Sequence, residues 1–198
     1  TGVCGFIGRR VALHLLDQGH QVFGVGRSQC KALDIRLLSN YVTVDLSSQK
    51  AVKVLNKVIP TGVDLIIHCA AQQPKLGLSF KEYIKGNVDT TENVVEWAKN
   101  SNIQTMISFS TVAFLDLPLK DGITITELEK ANPKNYYALS KWVSESYLKF
   151  LENDVNFTVL CFRIPSLVHE EQRDGIIYTY WNSALQNIDL DIYDNGHF

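Results

Sequence analysis

The 198-residue sequence has no run of about eighteen apolar residues, so it offers no candidate membrane-spanning helix. It has no Lys/Arg cluster, and 19 basic against 21 acidic residues leave a net charge of −2, which argues against a nucleic-acid partner. The first residues lack the basic, apolar and small-residue order of a secretory signal. Cysteine is scarce. Cys4, Cys30, Cys69 and Cys161 form no C-x-x-C pair and no Cys/His set at metal-ligand spacing, so no metal site is expected. Cys69 and Cys161 sit in apolar runs, where buried thiols in a reducing cytoplasm are the default. There is no internal repeat and no low-complexity segment. No Met opens the chain: Thr1 leads directly into a glycine turn of the kind that follows a buried strand, and Phe198 ends it without a cap or polar tail. The sequence reads as a fragment, or as a product cut at both ends.

With 45% hydrophobic and 20% charged residues, the composition suits one compact domain, or one domain and part of another. Gly2, Gly5 and Gly8 are three apart and lead into a helical pattern of Ile7, Val11, Leu15 and Leu16 that Gly19 stops. Glycines at a strand-to-helix turn let backbone approach a pyrophosphate, and the helix N-terminus supplies N–H groups and a positive dipole end. Residues 21–26 read as a buried strand. The next residues are Gly26-Arg27-Ser28, where an NAD-type site wants an acid for the ribose hydroxyls. A glycine leaves room and an arginine suits a 2′-phosphate, so NADP is favoured over NAD.

Further strands are read at residues 41–44, ending at Asp45-Leu46, and at residues 64–68, ending at His68-Cys69-Ala70-Ala71. His68 is read as a packed core histidine, since no acid, Cys or second His stands at ligand spacing. A long helix is expected over residues 80–99, interrupted near Gly86, with Asn87 near its middle as a bend-stabiliser or functional group. Another strand covers 106–111, with Ser110 and Thr111 at its exit, and a loop covers 115–122. A helix then starts at Asn132-Pro133 and carries Tyr137 and Lys141, four apart and so on one face. A cation that close favours a phenolate and would bring a tyrosine, ordinarily near pKa 10, into use as an acid or base. A strand at 157–162 runs into Arg163-Ile164-Pro165, and after it come a polar loop, a helix over about 175–186 and a short strand at 190–193. Strand and helix alternate, which predicts an α/β, Rossmann-type doubly wound parallel sheet. The domain boundary is placed near Arg163, with residues 1–163 a dinucleotide-binding domain and 164–198 the start of a second region.

Taken together, residues 1–8, Asp45-Leu46, His68-Cys69-Ala70-Ala71, Asn87, residues 108–111, Tyr137-x-x-x-Lys141 and Arg163-Ile164-Pro165 resemble the extended short-chain dehydrogenase/reductase family, the NAD(P)-dependent epimerase/dehydratase group acting mostly on nucleotide sugars. The resemblance implies a cytoplasmic enzyme exchanging hydride between a nicotinamide and a sugar carbon, usually C4, with the substrate site in the region from 164 onward. Tyr137 would move the proton. Lys141 would hold the nicotinamide ribose and lower the tyrosine's pKa. Ser110 would bond the reacting oxygen, with Thr111 the fallback, and Asn87 would support the lysine through a water. Gly2, Gly5, Phe6, Ile7, Gly8, Arg27, Asp45, Leu46, Ala70, Ala71 and Ile164 would line the cofactor, Asp45 at the adenine. A homodimer through the helices of Asn87 and Tyr137 is a further implication. Two departures count: Ala113-Phe114-Leu115 stands where relatives run Val-Tyr-Gly, and Thr111-Val112 stands where the 4,6-dehydratases carry Asp-Glu, which disfavours dehydration. Two other readings remain beside the epimerase or 4-ketoreductase: a reductase of a non-sugar carbonyl compound, and a non-catalytic dinucleotide-binding sensor. Trp97, Trp142 and Trp181 are expected in the core.

Overall fold

Strands of four to seven residues alternate with helices along residues 1–165, and all of the strand pairings are parallel. The computed structural model describes residues 1–31, 33–115, 124–170 and 175–190. The chain divides into two units, Thr1–Pro165 and Ser166–Phe198.

In the first unit β1 (Phe23–Gly26) pairs with β2 (Asn40–Thr43), while β4 (Thr105–Thr111) lies between β3 (Leu65–His68) and β5 (Thr158–Ile164). Residues 1–3 join these two groups. The Val3 N–H donates to the Val25 carbonyl at 3.3 Å, Thr1 donates its amine to the Ile67 carbonyl at 2.6 Å, and the Cys69 N–H donates to the Thr1 carbonyl at 3.2 Å. The resulting order is β2, β1, residues 1–3, β3, β4, β5, the doubly wound arrangement expected from the alternation. Because the strands are parallel, their carboxyl ends lie along one edge.

Helices α2 (Ala51–Val58), α4 (Thr90–Lys99) and α5 (Tyr136–Phe150) cover the sheet, burying Leu55, Val94, Val95, Trp97 and Leu148 in one cluster with Val25, Val42, Ile66 and Met106. Leu55 and Met106 are wholly buried, and each side chain of that size contributes about 1.5–3 kcal/mol by leaving water. A smaller cluster of Val3, Ala12, Cys30, Leu33 and Leu38 lies under α1 (Phe6–Asp17). Trp97 is in the core as expected, but Trp142 and Trp181 are exposed, at 38% and 65%. Trp142 adjoins Lys141 on α5, whose inward face is made by Ala138, Ser140, Lys141, Ser144 and Leu148.

The long helix expected over 80–99 forms in three pieces. Ser79 and Glu82 make a reciprocal cap on α3 (Phe80–Tyr83), residues Ile84–Asp89 are π-helical, and α4 follows. The interruption foreseen near Gly86 is therefore a π-bulge with Asn87 inside it. Helix α5 starts later than Asn132-Pro133, because the Asn135 carboxamide oxygen accepts from the Ala138 N–H at 2.8 Å and makes Asn135 the cap.

Cys4 and Cys30 form a disulfide, with α-carbons 5.4 Å apart, that the 26-residue spacing did not announce. Cys69 and Cys161 are free thiols. The second unit contains α6 (Ile176–Leu185), matching the helix expected there. The loop expected beyond Leu115 and the strand expected beyond Leu190 lie outside the described residues, as do residues 171–174 of the polar loop. No helix among the described residues is long and apolar enough to cross a membrane.

Candidate functional site

The glycine turn is shaped by two close approaches. Gly2 has φ +66°, and a Cβ there would stand 2.6 Å from the Ala70 nitrogen, so only glycine lets the turn lie against the backbone leaving β3. A Cβ on Gly8 would run into the Gly2 carbonyl, so glycine also lets α1 begin directly under the turn. The Gly5 N–H closes the turn on the Gly2 carbonyl at 2.9 Å, and Gly5 precedes Phe6 and Ile7 as the N-cap of α1. The glycine turn thus lies against the backbone of Cys69 and Ala70. A helix start of twelve regular residues with glycine at its cap is a fit for a diphosphate, since the first N–H groups have no intrahelical acceptor.

Arg27 follows the end of β1 and is exposed. Asp45 follows β2. Its carboxylate accepts from the Ser47 hydroxyl at 2.7 Å and the Ser47 N–H at 3.0 Å, and the Ser47 hydroxyl is the main reason its pKa is held down; Lys85 and Arg27 add smaller pulls. Leu46, next to Asp45, is buried. The room expected next to Gly26 is filled: a Cβ there would meet the Tyr41 hydroxyl, which donates to the Ser28 carbonyl at 2.5 Å and lies 3.2 Å from Cys4 Sγ.

At the other end of the edge, Tyr137 and Lys141 share the face of α5 that turns to β4. Lys141 is buried and donates its Nζ to the Phe109 carbonyl at 2.6 Å; burial lowers its pKa, opposed by the nearby Cys161, Glu145 and Cys69. The Tyr137 phenol has a raised pKa, from burial first, with a hydrogen-bond interaction from the Thr111 hydroxyl opposing it and Tyr83 adding to it. The ring edge of Tyr83 packs on Tyr137 with centroids 6.3 Å apart. The expectation that the lysine lowers the phenol's pKa is not met: burial prevails, and the ammonium is engaged by the Phe109 carbonyl.

Of the two alcohols at the β4 exit, Thr111 is the one beside Tyr137, while Ser110 Oγ is buried with no hydrogen-bond partner among the described residues. Ser110 stands in register opposite Arg163 of β5, and Ile164, at the end of β5, stands opposite Thr111. Asn87 is 1% exposed. Its Oδ1 accepts from the Gln72 N–H at 2.7 Å, and its Nδ2 donates to the Gln72 carbonyl at 3.3 Å and to Ser140 Oγ at 2.8 Å. Ser140 in turn donates to the Tyr137 carbonyl at 2.8 Å. The Asn87 side chain thus reaches α5 at Ser140, between Tyr137 and Lys141.

Two features escaped the sequence reading. Arg163 donates to Glu145 at 2.6 Å and 2.9 Å, lies over the Phe114 ring at 5.2 Å and donates to the Glu127 carbonyl at 3.0 Å. The signal was present, since Glu145 follows Lys141 by four residues and so extends its face. The second is the Cys4–Cys30 bond. His68 is a satisfied core histidine, as expected, bonded to Thr1 Oγ1 at 2.8 Å and Thr91 Oγ1 at 3.3 Å. No group of three His, Cys, Asp or Glu that could hold a metal occurs among the described residues.

Residues 1–197 match the family model described as the NAD-dependent epimerase/dehydratase family. Among curated relatives, the sterol-4-alpha-carboxylate 3-dehydrogenase, decarboxylating, of Dictyostelium discoideum is 27% identical over 172 residues, covering 83% of this chain and 51% of that protein. The UDP-glucose 4-epimerase of Halalkalibacterium halodurans is 26% identical over 171 residues, covering 82% and 48%. Among solved structures, the Bordetella bronchiseptica enzyme WbmG in complex with NAD and UDP superposes with a TM-score of 0.76 at 18% identity, covering 96% of this chain and 59% of that one. The chain spans about half the length of these two curated relatives.

Proposed function

The chain belongs to the NAD-dependent epimerase/dehydratase family, and from that premise we propose that it is the dinucleotide-binding part of an epimerase or 4-ketoreductase working at C4 of a nucleotide sugar. The observation that carries the reading is the placement of Tyr137, Lys141 and the Ser110–Thr111 alcohols along the same sheet edge as the glycine turn. In this reading residues 1–163 hold the dinucleotide and residues 164–198 open the substrate region. Gly2, Gly5, Phe6, Ile7 and Gly8 seat the diphosphate; Ala70, Ala71 and Ile164 line the path between its two ends; Asp45 and Leu46 meet the adenine. Arg27, exposed after Gly26, suits a 2′-phosphate and favours NADP over NAD.

A bound nicotinamide supplies the hydride acceptor and donor; the protein supplies position and the proton. The buried Tyr137 phenol is protonated at neutral pH, because burial holds it above the ordinary tyrosine range, and it donates to a carbonyl oxygen at C4 as that carbon is reduced. An oxidation has to start from the deprotonated phenol, which takes up the hydroxyl proton, and the reduction that follows gives it back. Ser110, whose hydroxyl is buried and unpartnered among the described residues, is kept for the reacting oxygen, and Thr111 holds the phenol. Lys141, whose ammonium donates to the Phe109 carbonyl at 2.6 Å, would bind a ribose hydroxyl of the dinucleotide. A homodimer through the helices of Asn87 and Tyr137 fits this reading.

A second reading, a reductase of a non-sugar carbonyl compound, is favoured by the likeness to the sterol-4-alpha-carboxylate 3-dehydrogenase. Assay of the whole protein with nucleotide sugars and with sterol or oxo-acid substrates separates the two. An epimerase interconverts its sugars with no net change in the dinucleotide, and a ketoreductase consumes reduced dinucleotide. Dinucleotide binding with no oxidation or reduction of any such substrate would favour a sensor.

A further inference from the structure

The Cys4–Cys30 bond joins two segments that a dinucleotide has to enter between. Cys4 lies inside the glycine turn, between Gly2 and Gly5, and Cys30 lies four residues beyond Gly26 at the end of β1. Their α-carbons are 5.4 Å apart, so the segment leaving β1 is folded back against the turn. Tyr41 braces the same spot: its hydroxyl donates to the Ser28 carbonyl at 2.5 Å and lies 3.2 Å from Cys4 Sγ. A Cβ on Gly26 would meet that hydroxyl, and would stand 3.4 Å from Cys4 Sγ. In a doubly wound sheet the adenosine ribose settles between the glycine turn and the end of the neighbouring strand. Here the Tyr41 hydroxyl and Cys4 Sγ stand beside Gly26 at that strand end, and the bond at Cys30 ties residues 27–30 to the turn.

We propose that Cys4 and Cys30 form a thiol–disulfide switch that closes the adenosine end of the dinucleotide site when oxidised and opens it when reduced. The inference rests on the dinucleotide-binding reading above. In the oxidised protein, residues 27–30 are anchored at both ends, by β1 pairing before Gly26 and by the covalent bond at Cys30, so they cannot lift to admit a ribose. Reduction removes the second anchor and leaves the Tyr41–Ser28 hydrogen bond, which breaks and re-forms readily. The chemistry is exchange with a small-molecule disulfide such as glutathione disulfide. The half-buried Cys4 thiolate attacks one sulfur and expels one small thiolate. The Cys30 thiolate then attacks Cys4 Sγ of the mixed disulfide and expels the second thiolate. Two protein thiols lose two protons and two electrons, and one small disulfide becomes two small thiols. Cys69 and Cys161 are free thiols whose pKa values burial raises, and they serve as an internal count.

The test uses the whole protein equilibrated with glutathione disulfide or with dithiothreitol. Alkylation and intact mass count the thiols, and titration with NADP and with NAD gives the affinities. The switch predicts Cys69 and Cys161 alone reactive after oxidation, against all four cysteines after reduction. If the closed form leaves a tenth of the molecules competent, affinity falls about tenfold on oxidation. Cys30→Ser is expected to bind as the reduced protein does under both conditions. Four reactive thiols after oxidation would overturn the proposal, and so would affinities within about twofold of each other, or tighter binding by the oxidised form. Binding that ignores redox state removes the switch alone, whereas no binding in either state removes the dinucleotide reading and the switch with it.

Discussion

Asn87 donates its Nδ2 to Ser140 Oγ at 2.8 Å, and through that hydroxyl the π-bulge is tied to the turn of α5 that lies between Tyr137 and Lys141. The same carboxamide clamps both backbone groups of Gln72, so one buried side chain fixes the loop after β3 and the helix carrying the candidate proton donor. A π-bulge adds a residue to a helix and re-aims the side chains beyond it, which explains its placement beside a site. Asn87→Ala leaves the Gln72 N–H and the Ser140 hydroxyl short of partners in a buried place, and is expected to cost about 2–4 kcal/mol. Urea unfolding checks this: the midpoint should fall with the slope unchanged, and a loss below about 0.5 kcal/mol would show that the clamp holds nothing.

Ser110 and Thr111 adjoin in sequence but have different surroundings. A buried hydroxyl with no hydrogen-bond partner among the described residues adds nothing to folding from them, so Ser110→Ala is expected to leave stability unchanged or slightly raised while lowering kcat by roughly 10²-fold, in the range for a lost hydrogen bond to a developing oxyanion. Steady-state kinetics beside thermal melts read both. Full activity in Ser110→Ala, with the loss falling on Thr111→Val alone, would move the oxygen-binding role to Thr111.

The pKa of His68 lies well below the usual histidine value, through burial first and then the positive charges of the chain terminus and Lys141. The folded protein therefore keeps the ring neutral where the unfolded chain takes up a proton. Its contribution to stability is present above the ordinary value near 6.5 and is lost as pH falls below it toward the depressed folded value, by up to about 1.4 kcal/mol per pH unit. Melts from about pH 7 to about pH 5 should show a steep acid loss in the native protein and a shallower one in His68→Gln. Parallel curves would mean that other groups set the acid limit.

In the proposed reading Arg27 selects between the two dinucleotides. Arg27→Ala is expected to weaken NADP binding about tenfold and to leave NAD within about twofold, since the 2′-phosphate is the one group that distinguishes them. Calorimetric titration decides it, and an equal loss for both would assign Arg27 to the shared diphosphate or to Asp45.

The order of strands and helices was legible because buried parallel strands are continuous apolar runs and the helices repeat at 3.6 residues. The glycine turn was legible because a left-handed Gly2 and a close-packed Gly8 leave no other choice of residue. Tyr137 and Lys141 were legible as a helical pair, but not the direction of the phenol's shift, which depends on burial by elements distant in sequence. The kink near Gly86 could be located but not typed, because a π-bulge is held by Asn87 bonds to residues fifteen and fifty-three positions away. The filling of the space at Gly26 by Tyr41 and the closure of Cys4 on Cys30 depend on the pairing of β1 with β2, and no local pattern reports either. Trp142 and Trp181 were misplaced because a large apolar residue is a weak indicator of depth on a helix that shows one face to solvent.

In the proposed reaction the Tyr137 phenol moves the hydroxyl proton while a nicotinamide exchanges hydride with the carbon that bears that oxygen. The most direct test is a single-turnover reaction of the whole protein, followed by the absorbance of the reduced dinucleotide, comparing the native enzyme with Tyr137→Phe. The account predicts that Tyr137→Phe binds dinucleotide normally and loses roughly 10²–10⁴ of the turnover rate. Turnover at the native rate in Tyr137→Phe would contradict it.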